Sequence, residues 1–186
     1  KQLLEGDPHE YNRQLAGIGT RADAKTFIYA FLLGAGDAKV GQIVKGTTKD
    51  GAATKKRFIN NFPGLSDLLT LLKGQRKRTG RIGLVDGTPV LVSSDHMVLG
   101  YLLQGDESRI MKQAKILVDK EVLKRKLDVL WCGDLHDEWQ CDVLNEHVDE
   151  FISICEWGFK TAGEMFNYRI PIECDAKKGK TWAETH

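Results

Sequence analysis

Residues 131–143 read WCGDLHDEWQCDV and set two carboxylates, Asp137 and Glu138, side by side after His136. Apolar and polar residues alternate on both sides of this triplet, which is the period of two typical of β-strands. The pattern therefore predicts a hairpin with the triplet around its turn. Two adjacent anions are unfavourable unless a positive group lies beside them, and magnesium prefers such oxygen ligands. Taken alone, the triplet fits either a magnesium site or a solvated acidic turn.

Helical patterning precedes this hairpin. Thr20 is placed to cap a helix that begins at Arg21 and ends at the glycines of LGAG. A lysine-rich segment, 41–61, is broken by Pro63-Gly64, after which SDLLTLLKG indicates further helical turns. The basic run KGQRKRTGR that follows is typical of a solvated loop or helix end, and it also suits a phosphate backbone.

The rest of the chain alternates hairpins and helices. RIGLVDGTPVLV predicts a hairpin whose two-residue turn is Asp86-Gly87. Ser94 or Asp95 is placed to cap a long helix, roughly 96–127, and Asn145 to cap another. IPIECDA predicts a last strand. Because tight turns join antiparallel strands, this order predicts an α+β fold, with a helical lobe ahead of an antiparallel sheet and its packed helices.

Composition excludes some classes of protein. The 186 residues are 41% hydrophobic and 28% charged, as in ordinary globular proteins. Because the net charge is +1, nucleic-acid binding would need local basic patches. No apolar run approaches the roughly 20 residues of a membrane span, and the N-terminus lacks a signal-peptide pattern. Four cysteines without a zinc spacing predict reduced thiols in a cytoplasm.

A second cluster of candidate residues lies on the helix after Thr20. Arg21, Lys25 and Tyr29 are spaced by four, so they share one helix face. Cations at a helix N-terminus oppose the helix dipole, which favours acids there by about 0.3–1 kcal/mol each. Two cations and a ring suit a nucleoside triphosphate, and His9 could add a further donor. The alternative is a basic helix face with a half-buried tyrosine.

Several segments together resemble family A DNA polymerases. RADAKTFIYAFLLGAG resembles motif B of that family, and LHDEWQ resembles motif C. Two segments, GDPHEYNRQLAGI and LVDGTPVLVSSDHMVLGYLLQGDESRIMK, are similar to segments of the replicative polymerases of small tailed phages. The closing WAETH is similar to the family's own C-terminus. The motifs occur in the family's order, and the resemblance covers nearly the whole chain.

The resemblance implies roles for residues of the second hairpin and its neighbours. Asp137 matches the motif C aspartate that binds the catalytic metals, and Glu138 matches its weaker acidic neighbour. His136 matches a histidine near the primer end. Gln104 matches a glutamine that reaches the minor groove, and His96 falls where the family often has a basic residue toward the DNA.

The resemblance also implies roles for the helix after Thr20. Arg21 and Lys25 match residues that grip the incoming triphosphate, with Lys25 also a proton donor to the leaving group, and His9 matches another phosphate contact. Tyr29 matches the aromatic position that packs on the nucleotide. Leu33 stands where the family usually has tyrosine before glycine, so we expect altered fidelity or nucleotide preference.

The implied protein is part of a right-hand polymerase, with fingers at 1–80 and the C-terminal part of the palm at 81–186. The motif A pattern D-x-S-x-x-x-x-R is missing from the sequence. The second aspartate for two Mg²⁺ ions, the thumb and any exonuclease are therefore expected from an upstream segment or chain. The expected activity is template-directed DNA synthesis on primer–template DNA with dNTPs, in the cytoplasm of a phage-infected bacterium.

Two alternatives compete with this interpretation. One is a non-catalytic remnant of a polymerase that binds primer–template or a partner chain. The other is a magnesium phosphohydrolase or nuclease built on the Asp137 turn, which leaves the cationic helix face unexplained. The polymerase interpretation requires Asp137 and the face that starts at Arg21 to meet opposite ends of one nucleotide.

Overall fold

The computed structural model describes residues 6–185. These fall into two compact units, one ending at Leu103 and the other beginning at Gln104. The predicted division at residue 80 separates fingers from palm by their roles in a polymerase, and it stays a prediction. The final histidine of WAETH lies outside the described residues. Within the described part, no helix is long and apolar enough to cross a membrane.

The first unit is mostly helical and ends in a small hairpin. Its helices are α1 Pro8–Ala16, α2 Arg21–Leu32, α3 Asp37–Ile43, α4 Thr48–Asn61 and α5 Leu65–Thr79. Strands β1, Arg81–Gly83, and β2, Pro89–Leu91, pair antiparallel. Helix α6, Val98–Arg125, follows, and the boundary between the units falls within it.

Helix α2 begins where its capping signal predicts. The Thr20 side chain accepts a hydrogen bond of 3.1 Å from the backbone N–H of Asp23, which supplies a partner for one of the donors left unpaired at a helix start. The helix ends at Leu32, and Gly34 then adopts a left-handed φ of 81°. Thr20 and the glycines of LGAG therefore bound α2 as predicted.

An aromatic cluster forms the core of the first unit. Phe27 and Phe31 of α2 both meet the ring of Phe58 of α4 nearly edge-on, with centroids 5.4 and 5.2 Å apart. All three rings are buried. This packing fixes which face of α2 points inward, and it leaves the opposite face to solvent.

Two predictions for the first unit are refined by the structure. Residues 73–79 of the basic run KGQRKRTGR form the last turns of α5, Gly80 caps the helix and Arg81 opens β1, so the helix-end interpretation is correct. The first hairpin has a three-residue loop, because Leu84 and Thr88 pair across it, with the Leu84 N–H donating to the Thr88 carbonyl at 2.9 Å. Gly87, with φ 81°, takes the left-handed position that closes such a loop. The predicted two-residue turn at Asp86-Gly87 is therefore one residue shorter than the observed loop.

The second unit packs a hairpin on helices. After α6 come β3 Val129–Leu135, β4 Glu138–Val143, a 3₁₀ turn Asn145–His147, α7 Val148–Met165 and α8 Trp182–Thr185. Strands β3 and β4 are antiparallel and their register shifts between Trp131 and Gly133, so Cys132 is the extra residue of a bulge. One face of this hairpin packs on α6 and α7 around the buried Val118 and Phe151.

Three local predictions for the later elements were wrong. The long helix spans Val98–Arg125, close to the predicted 96–127, but its predicted cap is wrong, because the Asp95 carboxylate accepts from Arg76 at 2.7 Å. Asn145 opens a 3₁₀ turn, and α7 starts three residues later. IPIECDA forms no strand: Ile172 and Cys174 pack against the helical core, but no neighbouring strand offers a hydrogen-bonding edge within residues 6–185. The predicted α+β class, a helical lobe followed by antiparallel strands with packed helices, is confirmed, and the strands form two separate two-stranded sheets.

Replacing Phe58 by alanine tests the aromatic core. The ring is 3% exposed and touches three other rings, so its loss should lower the free energy of unfolding by about 3–5 kcal/mol. Urea unfolding measures this change. Leu71, which is 56% exposed on α5, is the control, and Leu71→Ala should change stability by less than about 0.5 kcal/mol. Equal losses in the two variants would contradict the proposed core.

Candidate functional site

The exposed face of α2 carries the predicted triphosphate contacts. The buried positions of this helix are Ala24, Phe27, Ile28 and Phe31. With 3.6 residues per turn, the positions 21, 25, 29 and 33 lie on the other side. Tyr29 is 54% exposed and Leu33 is 59% exposed. The core packing thus produces an exposed stripe of two cations, one aromatic ring and one leucine.

His9 lies beside this stripe. It belongs to the first turn of α1, and its ring centroid is 6.4 Å from that of Tyr29. Its Nδ1 is buried without a hydrogen-bond partner among the described residues. The structure therefore brings His9 and Tyr29 together, although they are twenty positions apart in the sequence.

Arg21 is paired with Asp7, an acid that was not among the predicted site residues. Its Nε donates to Asp7 Oδ2 at 2.6 Å, and its Nη2 donates to Asp7 Oδ1 at 3.2 Å. The hydrogen bond from Arg21 lowers the pKa of the Asp7 carboxyl from 3.8 to about 2. Asp7 directly precedes Pro8 at a helix start, so its capping role was visible in the sequence, but its pairing fourteen residues away was not.

The end of α2 lies against the segment that carries His96. A Cβ placed on Gly34 would lie 2.5 Å from the His96 carbonyl oxygen, so only glycine allows this approach at its left-handed φ. A Cβ on Gly100 would lie 3.1 Å from the Leu32 carbonyl oxygen, which shows a second close approach. The His96 side chain is exposed, with its Nε2 3.4 Å from Ser94 Oγ. Gly34, the residue after Leu33, therefore lies against the backbone of His96 in the first unit.

Arg76 holds the segment before His96. Its guanidinium donates to the carbonyls of Val92 and Ser93 and to the Asp95 carboxylate, at 3.1, 2.5 and 2.7 Å. In the sequence, Arg76 belongs to a basic run that is typical of a solvated loop or helix end. Its backbone partners make it a structural residue, while Lys77 and Arg78 of the same run are exposed.

The predicted acidic triplet forms the tip of the second hairpin. His136 and Asp137 are the two turn residues, because Leu135 pairs with Glu138. His136 has φ 55°, the left-handed region that two-residue hairpin turns use. Asp137 is exposed, whereas Glu138 is half-buried and accepts a hydrogen bond from Gln140. Asp137 is thus the carboxylate that is presented to solvent.

Aromatic residues and a lysine support this hairpin. Trp131 and Trp139 meet edge-on across the strands with centroids 5.5 Å apart, and Trp139 packs on Phe159 of α7 at 4.9 Å. Lys115 of α6 lies 4.6 Å from the centre of the Trp131 ring and pairs with Asp134. Lys115 was not among the predicted site residues, and nothing local in the sequence marks it.

The remaining predicted residue is Gln104, which is exposed on α6 at the start of the second unit. Among residues 6–185, no three His, Cys, Asp or Glu side chains are grouped to hold a metal ion. Asp137 can supply one exposed oxygen ligand of the kind that Mg²⁺ prefers.

The cysteines do not form part of either cluster. All four, Cys132, Cys141, Cys155 and Cys174, are unpaired thiols. Burial raises the pKa of Cys141 and of Cys155 to about 12, so both thiols stay protonated at neutral pH. They contribute to the packing of the second unit.

The fold matches that of a solved polymerase domain. The structure titled "POL domain of Pol1 from M. smegmatis complex with DNA primer-template and dNTP" covers 91% of this chain, with a TM-score of 0.75 and 19% sequence identity. This chain covers 33% of that structure. At this identity the likeness establishes the fold alone, which is that of part of a polymerase domain.

Sequence comparison establishes the family. Residues 11–184 match the model of DNA polymerase family A, and the chain belongs to this family. DNA-directed DNA polymerases of Escherichia phage Phieco32 and Enterobacteria phage T3 are 37% and 33% identical to it. The matches cover 99% and 100% of this chain and 31% and 29% of those proteins. The chain therefore spans about a third of the length of these relatives, and the resemblance to phage polymerases is confirmed.

Removing Arg21 tests the ion pair at the start of α2. Because the folded protein lowers the pKa of Asp7, the ion pair stabilises the fold fully at pH values above 3.8, the ordinary pKa of the group. This contribution is lost as the pH falls through about 2. In Arg21→Ala, the pKa of Asp7 should rise toward 3.8, as measured by ¹³C NMR of its carboxyl carbon. Arg13→Ala, which removes the partner of Glu10, is the control and should leave the pKa of Asp7 near 2. An unchanged pKa in Arg21→Ala would show that the pair does not form in solution.

Proposed function

We propose that this chain forms the fingers, 1–80, and the C-terminal part of the palm, 81–186, of a polymerase that extends a DNA primer 5′-to-3′ from dNTPs on a template. The observation that carries the proposal is the exposed stripe on α2, where Arg21, Lys25 and Tyr29 share one face because the aromatic core occupies the other. Membership of DNA polymerase family A supports the same conclusion.

The stripe supplies complementary groups for a nucleoside triphosphate. The guanidinium of Arg21 is a planar fork that matches phosphate oxygens, and Lys25 is a compact charge one helical turn further on. His9, next to Tyr29, adds a donor for a phosphate. The exposed ring of Tyr29 offers a flat surface for the sugar or base of the nucleotide. Leu33 continues this surface toward His96.

Asp137 is the proposed metal-binding residue of the chain. Its carboxylate is exposed at a turn whose strands are held by packed tryptophans, so it is presented from a rigid hairpin. Magnesium, when bound with a second aspartate from the upstream segment, would activate the primer hydroxyl and stabilise charge on the phosphate oxygens. Glu138 assists from the neighbouring position, where its bond with Gln140 limits its motion.

The chain's own part in the reaction is positioning and proton transfer. The cations of α2 hold the triphosphate so that the primer 3′-oxygen approaches the α-phosphorus in line with the departing pyrophosphate. As the P–O bond to pyrophosphate breaks, Lys25 donates a proton to the leaving oxygen. The fixed charges of Arg21 and Lys25 also stabilise negative charge that develops on these oxygens.

DNA and protein partners complete the proposed enzyme. His96 and Gln104 contact the primer–template duplex, and His136 lies near the primer end. An upstream segment or chain supplies motif A, the thumb and any exonuclease. The reaction takes place in the cytoplasm of a phage-infected bacterium.

Primer extension tests this function directly. The chain alone should extend no primer. When it is mixed with the upstream polymerase segment, Mg²⁺ and dNTPs, the primer should be extended. In that mixture Asp137→Ala should lower kcat by at least about a hundredfold while primer–template binding is kept, because one metal ligand is lost. Asp142→Ala, an exposed acid on the same hairpin, is the matched control and should retain activity. Strong extension by the chain alone, or near-normal turnover by Asp137→Ala, would contradict the proposal.

Leu33 is proposed to affect nucleotide selection. Its side chain is exposed at the end of the stripe, so tyrosine should be accommodated without disturbing the core. Leu33→Tyr should change the ratio of kcat/KM values for correct and incorrect dNTPs by about tenfold, as measured by steady-state misinsertion. Leu71→Tyr, an equally exposed position on α5, should leave this ratio unchanged. A Leu33→Tyr variant with the parent's ratio would refute this role.

A further inference from the structure

The Asp7 carboxylate links the starts of two helices. Its Oδ1 accepts from the backbone N–H groups of His9 and Glu10, at 2.9 and 3.2 Å, and so caps α1. Its Oδ2 accepts from Arg21 Nε at 2.6 Å. Both proposed triphosphate contacts at this end of the site, His9 and Arg21, therefore depend on the same acid for their placement.

The way in which Arg21 is held leaves part of its guanidinium available. The pair with Asp7 uses the Nε–H and one Nη2–H. The other three N–H groups, two on Nη1 and one on Nη2, have no partner among residues 6–185. Because the guanidinium is planar and rigid, fixing one edge also fixes the direction of the other.

We propose that Asp7 is a positioning residue for nucleotide binding, which holds the guanidinium of Arg21 so that its Nη1/Nη2 edge meets the triphosphate, and which holds His9 beside it. This inference rests on the proposed role of Arg21 as a triphosphate contact. Asp7 itself does not touch the nucleotide.

Two effects of Asp7 on a bound triphosphate oppose each other. Its negative charge repels the phosphates, but that charge is paired with Arg21 and is screened by solvent, since both side chains are about half exposed. Its restraint on Arg21 removes rotational freedom that the side chain would otherwise lose on binding. We expect the restraint to dominate, so that removal of Asp7 weakens nucleotide use.

Asp7→Ser separates positioning from helix capping. Serine caps a helix about as well as aspartate, but it has a single, shorter-reaching oxygen in place of the carboxylate. In the reconstituted polymerase, Asp7→Ser should raise the KM for dNTPs about tenfold and change kcat by less than about twofold. Glu10→Gln is the matched control, because Glu10 lies in the same turn but pairs with Arg13. The KM of this variant for dNTPs should equal that of the parent.

A double-mutant cycle shows whether Asp7 acts through Arg21. Arg21→Ala should raise KM by itself, and Asp7→Ser should add less than about twofold in that background. If Arg21→Ala raises KM while Asp7→Ser leaves it unchanged or lowers it, the positioning role is wrong and the proposed function survives. Equal effects of Asp7→Ser with and without Arg21 would likewise overturn it. If Arg21→Ala leaves KM unchanged, the triphosphate site itself is wrong.

Discussion

Everything proposed for the first unit depends on the burial of one side of helix α2. The rings of Phe27 and Phe31 pack against Phe58 of α4, and Ala24 and Ile28 complete the buried face. Because one face of the helix is buried by this contact, the residues at 21, 25, 29 and 33 on the opposite face are exposed together. Cations and a tyrosine on a helix face acquire a function only when they are presented in one direction, and here hydrophobic packing sets that direction.

The second unit presents its candidate residue by a comparable device. Asp137 lies at the tip of a two-stranded hairpin, and such a hairpin is marginal by itself in water. Packing of Trp131 and Trp139 against α7, together with Lys115 over the Trp131 ring, holds the strands in register. The tryptophans beside the acidic turn are thus explained by support of the turn. In both units, a charged group is exposed because aromatic neighbours occupy the side behind it.

Local signals in the sequence predicted much of this arrangement. The Thr20 cap and the glycines of LGAG gave the bounds of α2, and the alternation around Asp137 indicated the second hairpin. Failures occurred where a distant partner decides the outcome. IPIECDA has the composition of a strand, but a strand needs an edge to pair with. Asp95 was available as a cap, but Arg76 binds it.

In the candidate site too, features set by nearby residues were predicted, and contacts between residues far apart in the sequence were not. The spacing of Arg21, Lys25 and Tyr29 predicted their shared face, because helix periodicity is a local property. The pairing of Arg21 with Asp7 and the approach of Gly34 to His96 bring together residues far apart in the sequence. No pattern of spacing encodes such contacts, which follow from how the helices pack. The family resemblance assigned roles to residues, but it did not reveal that Asp7 holds one of them.

The most direct test of the account is to titrate the isotopically labelled chain with Mg²⁺ and a dNTP and to follow its NMR spectrum. The account predicts saturable shifts at the Arg21 guanidinium and at the amides of Lys25 and Tyr29, with no shift at Lys39 and Lys49, which are exposed on α3 and α4. Saturable shifts confined to other helices, or none along α2, would contradict the claim that this stripe binds the incoming nucleotide.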